Sequence, residues 1–162
     1  MLPDLISPNM NLDSIETLVS LPSGSAKMFE ETEALRAADI FATSDSIEGG
    51  LGSGGGTAHL LAEAWKTSQL LNHSSDTGRS PSFSSWLNGS RKLVVNGCTE
   101  SRRVPAYSPL GKPLIPLPIF PEITAQCLDQ VLLDLQLRSY RRLLRCVPTG
   151  YRLLVACGDV LV

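Results

Sequence analysis

Apolar residues along this chain fall into short blocks separated by stretches of glycine, serine and proline. Three blocks are too short for helices and predict buried strands: Ala38-Asp39-Ile40-Phe41-Ala42-Thr43, Lys92-Leu93-Val94-Val95-Asn96 and Tyr151-Arg152-Leu153-Leu154-Val155-Ala156. Two longer segments carry helical spacing. From Thr57 onward, Leu60, Leu61, Ala64, Trp65 and Leu71 share one helical face. From about Ala125 to Arg145, Leu128, Val131, Leu132 and Leu135 predict a second buried stripe. Asp129 and Asp134 lie early in that segment and Arg138, Arg141, Arg142 and Arg145 late, an order that suits the helix dipole. Pro148-Thr149-Gly150 ends it.

The rest divides by composition. Residues 1–37 predict a helical lead-in, broken at Leu21-Pro22-Ser23-Gly24. Residues 72–90 are rich in serine and predict a surface loop. Strand, loop, helix, repeated and closed by a strand, predicts a parallel α/β sheet over residues 38–162. Ligands of such sheets sit beyond the carboxyl ends of the strands. The loops after residues 43, 96 and 156 would therefore gather on one edge.

Charge and cysteine usage narrow the partners. A net charge of -2 argues against a nucleic-acid polymer, since proteins that track a phosphate backbone are usually basic. Small phosphorylated ligands need only a few well-placed cations. No run approaches the roughly 20 apolar residues of a membrane span, and the first residues lack a secretory pattern. Cys98, Cys127, Cys146 and Cys157 form no CxxC pair or zinc spacing, which suits reduced thiols in a cytoplasmic protein.

Three segments carry candidate chemistry. Gly52-Ser53-Gly54-Gly55-Gly56-Thr57 lies between a strand and a helix, where glycines permit close backbone approach and the helix start offers N–H groups to an anion. It lacks the Gly-Lys-Ser/Thr ending of a P-loop, and a flexible loop without a ligand is the competing reading. Ser101-Arg102-Arg103 and, further on, Gly111-Lys112-Pro113 place cations on a proline-stiffened loop that could clamp phosphates; a solvated basic loop is the alternative. Asp159, just past the last strand, is placed to hold Mg²⁺ against phosphates or, more plainly, to cap a turn. His59 and the late arginines of the second helix fit surface roles.

Together, FATSDSIEGGLGSGGGTAHLLAEAW, SRRVPAYSPLGKPLIPLPIF, LDQVLLDLQL and LLVACGDVLV resemble the fucose-1-phosphate guanylyltransferase region of bifunctional fucokinase/GDP-fucose pyrophosphorylases, in the same order over about residues 18–162. The resemblance implies a partial, Rossmann-like nucleotidyltransferase domain that joins GTP to fucose 1-phosphate. It implies that Gly52, Ser53, Gly54, Gly55, Gly56, Thr57, Ser101 and Arg102 bind the nucleotide. Lys112 and Arg103 would act in catalysis, Asp159 would hold Mg²⁺, and the remainder of a longer polypeptide is expected. The chain departs from the family at Asn96-Gly97-Cys98-Thr99-Glu100, where a His-Ala-Gly-Gly-Gln stretch is typical. Loss of those glycines and the added carboxylate predict weaker nucleotide binding. A sugar kinase, whose Gly-Leu-Gly-Ser-Ser motif is echoed by Gly50-Leu51-Gly52-Ser53, and a non-catalytic remnant are the other readings.

Overall fold

The computed structural model describes residues 14–31, 40–44, 51–72, 81–97, 111–117 and 130–160. Four strands form one all-parallel sheet: β1 (Ile15–Ser20), β2 (Ile40–Thr43), β3 (Arg91–Asn96) and β4 (Leu153–Cys157), in the order β2-β1-β3-β4. The helices are α1 (Ser23–Glu31), α2 (Gly52–Asn72), α3 (Phe83–Gly89) and α4 (Leu132–Cys146), with a 3-10 turn at Lys112–Leu114. The fold is thus α/β and Rossmann-like. The direction of strand addition reverses between β1 and β3, so the ligand crevice of such a sheet falls beyond their carboxyl ends.

Alternation along the strands feeds two cores. Val19, Ala42, Leu93 and Val95 face one side, where Leu133, Leu137 and Tyr140 of α4 and Ala26 of α1 cover them. Leu18 and Val94 face the other, under Leu60 and Ala64 of α2 and Trp86 of α3. β4 follows the same alternation, but its Leu153 and Val155 remain exposed.

The structure corrects several sequence expectations. Residues 15–20, expected within a helical lead-in, form a central strand, and helix begins only at Ser23. Thr17 and Ser20 are fully or nearly buried, and their polarity hid the strand. The glycines from Gly52 to Gly56 are the first turns of α2 rather than a loop. Within 72–90, Phe83–Gly89 is helical, capped by Ser82, whose hydroxyl accepts from Ser85 N at 3.2 Å. Leu71 is exposed, not packed. In α4 the buried stripe is Leu133, Leu137, Tyr140 and Leu144, shifted from the one expected, because the helix starts at Leu132; Leu128 and Asp129 lie outside the described residues.

At the other end of the strands Lys92 is fully buried. Its ammonium donates to Trp86 O and Glu16 Oε1 at 3.1 Å and to Ser90 Oγ at 2.6 Å, and lies 4.4 Å from the Trp86 ring centroid. Those partners are what permit a buried cation. Arg91 donates to Leu144 O and Val147 O, satisfying carbonyls at the end of α4.

Candidate functional site at the strand carboxyl ends

Register aligns the four strand ends in one row: Thr43, Ser20, Asn96 and Cys157. Past that row the ladder continues, with Leu21 N donating to Thr43 O at 2.9 Å, Gly97 N to Ser20 O at 2.9 Å and Gly158 N to Asn96 O at 2.8 Å. Two of these continuing residues are glycines because Pro113 lies on them. A Cβ on Gly97 would stand 2.5 Å from Pro113 Cγ and 2.7 Å from Ser20 O; one on Gly158 would stand 2.9 Å from Pro113 Cγ and 2.8 Å from Asn96 O. Gly111 precedes this turn with φ +78, a conformation glycine adopts without strain, and its carbonyl accepts from Leu114 N at 3.2 Å.

This packing sets Lys112 against Asp159. The ammonium donates to Asp159 Oδ2 at 2.6 Å, and the Cys157 thiol to Oδ1 at 2.7 Å. The thiol and then the lysine hold the Asp159 carboxyl below the usual aspartate range. The same contact pushes the Cys157 thiol up, so it stays a protonated donor and not a reactive thiolate. The Asp159 turn is fixed from α4, where Gln136 Nε2 donates to Val160 O at 2.9 Å and Tyr140 OH donates to the same carbonyl. Sequence reasoning named neither residue. A polar residue inside an otherwise apolar helix stripe was the available signal for Gln136.

On the sheet's other face, α2 begins at Gly52 with φ +69. Thr57 donates its hydroxyl proton to Ser53 O at 2.7 Å and accepts from Asn96 Nδ2 at 2.9 Å, which ties the start of the helix to the end of β3. Among the described residues, Asn96 Oδ1 is buried and has no partner, at a cost of about 1–3 kcal/mol for such a group. Of the sequence-predicted residues, Gly52–Thr57, Lys112 and Asp159 thus flank the same strand ends. Ser101, Arg102, Arg103 and the departing Cys98-Thr99-Glu100 lie outside the described residues.

Among the described residues no helix is long and apolar enough to cross a membrane, and no group of three or more His, Cys, Asp and Glu gathers as a metal cage. No known family profile and no solved structure matches the chain.

A parallel α/β sheet with a glycine-led helix start and an ion pair at its carboxyl edge defines a Rossmann-like domain. In sequence the chain is 38% identical over 148 residues to the L-fucokinase/L-fucose-1-P guanylyltransferase of Bacteroides fragilis. The match takes in 91% of this chain and 15% of that protein's length. Over that stretch the chain is similar to a bifunctional protein of the kind its motifs resemble.

Proposed function

We propose that this chain carries the nucleotide-binding part of a cytoplasmic nucleotidyltransferase that joins GTP to fucose 1-phosphate, giving GDP-fucose and pyrophosphate. The observation that carries the reading is the convergence of the α2 start, Lys112 and Asp159 on the carboxyl ends of one parallel sheet. The guanylyltransferase activity in the relative's name supplies the reaction.

In that reaction a non-bridging oxygen of the sugar phosphate attacks the α-phosphorus of GTP. The new P–O bond forms as the bond to the α,β-bridging oxygen breaks, and pyrophosphate leaves with the electron pair. No protein nucleophile takes part, so catalysis rests on positioning and charge neutralisation. N–H groups at the start of α2 receive phosphate oxygens. Lys112 exchanges Asp159 for a phosphate oxygen and offsets charge on the leaving group. Arg102 and Arg103, with Ser101, supply further donors to the phosphates.

A Mg²⁺ ion held mainly by nucleotide phosphates needs only one or two protein carboxylates, and Asp159 provides one. When bound, the ion would draw charge from the phosphate oxygens.

The test is formation of GDP-fucose and pyrophosphate from GTP and fucose 1-phosphate. The same relative's name also includes a fucokinase, and phosphorylation of free fucose would transfer the reading to that activity. GTP binding without turnover would identify a non-catalytic nucleotide-binding segment. Absence of both binding and turnover would overturn the proposal.

A further inference from the structure

Asn96 closes β3, and its amide has a determined sense. Thr57 has one hydroxyl proton, and it goes to Ser53 O. The Thr57 oxygen therefore receives a proton from Asn96, which places the NH₂ end of the amide against α2. Oδ1 is turned away, buried and without a donor among the described residues. Other buried polar atoms also lack partners, Gln136 Oε1 and Arg152 Nη1 among them. Asn96 differs in standing at a strand end, at the switch point, and in contact with the helix start.

The polarity of that oxygen restricts what it can meet. Phosphate offers acceptors, and a carbonyl oxygen repels them; the α2 N–H groups and Lys112 have the opposite character. An acceptor at this edge calls for an N–H or O–H donor, which a nucleotide carries on its base and ribose.

We propose that Asn96 binds the nucleoside end of the nucleotide, with Oδ1 accepting a hydrogen bond from a base N–H or a ribose hydroxyl. The inference rests on the nucleotide reading above. Oδ1 is shielded from water in the ligand-free chain, so the incoming donor takes a place now filled by protein atoms.

Calorimetric titration with GTP, 2′,3′-dideoxy-GTP and tripolyphosphate, each with Mg²⁺, tests this on the wild type, Asn96→Leu and Asn96→Ala. The alanine variant removes the amide without adding bulk, should leucine prevent folding. Both variants should lose tenfold or more in GTP affinity, keep their tripolyphosphate affinity, and melt close to the wild type. Weaker wild-type binding of the dideoxy compound would assign the donor to the ribose, and equal binding to the base. Unchanged GTP affinity in the variants would overturn the inference alone, as would equal losses for GTP and tripolyphosphate. A wild type that binds neither would overturn the nucleotide reading and this inference with it.

Discussion

Lys112 and Asp159 lie on different elements, and what joins them is the seating of Pro113 on Gly97 and Gly158. Both side chains touch solvent, so the pair should contribute less than about 1 kcal/mol to stability. Its value is positional. Where transfer is measurable, Lys112→Ala should lower the rate on the order of 10²-fold and leave the melting temperature nearly unchanged. An unaltered rate would remove Lys112 from the chemistry. Because the Asp159 carboxyl is held below its ordinary value, whatever stability it adds is present above the ordinary aspartate pKa. That contribution disappears as pH falls through the folded-state value. The small difference in melting temperature between wild type and Asp159→Asn should therefore vanish in acid. Lys92 shifts stability in the same direction with pH but for the opposite reason, since burial disfavours its charged form. Burial lowers its pKa, and Glu16 opposes that only in part. Just below the ordinary lysine value the folded chain has shed a proton that the unfolded chain keeps, so its contribution makes stability rise with pH. Lys92→Met should lack that rise in denaturant titrations. It should also cost about 1–3 kcal/mol, by leaving Trp86 O and Ser90 Oγ without their donor.

Between elements, the tightest fit is the 3-10 turn against the ends of β3 and β4. Gly97→Ala and Gly158→Ala should each destabilise the fold by about 1–3 kcal/mol, since the new methyl meets backbone oxygen and a proline ring. Gly54→Ala, where no atom lies within 4 Å of the new methyl, should be neutral or stabilising by comparison. Equal melting temperatures for all three would contradict this packing. The same elements show what was legible in the chain. β2, β3 and β4 stood out because their apolar runs are short and bounded by turn residues. β1 did not, because Glu16, Thr17 and Ser20 interrupt it; Thr17 Oγ1 in fact accepts from Arg141 at 2.9 Å. α3 was hidden by serines, since only Trp86 of its residues is buried. Lys112 and Asp159 were each named from local context. Their pairing was not readable, because it depends on how far a proline ring sits from two glycines distant in sequence. Asn96 was seen as the last residue of a strand and the first of the stretch that departs from the family; the sense of its amide was not readable, because it depends on where the Thr57 proton goes.

At the scale of the whole molecule, the sheet is asymmetric. Among the described residues β4 pairs only with β3, and Leu153 and Val155 on one of its faces are exposed, with Tyr151 just before them. An apolar edge strand is a template for pairing with another chain. Sedimentation of the isolated chain should show concentration-dependent self-association, and Val155→Lys should suppress it. A wild type that stays monomeric at high concentration would contradict this. The strand order has a further consequence, for the time the chain needs to fold. Ile15 lies opposite Arg91, and Lys92 opposite Leu153, so neither side of β3 can be zipped from a nearby turn. Each pairing must close a long stretch of chain before any ladder bond repays the lost entropy. During synthesis β1 precedes β3, and of the described strands only the short β2 is made in between to pair with it. The two cores then close late and together, once β3 has passed between β1 and the strand still to come.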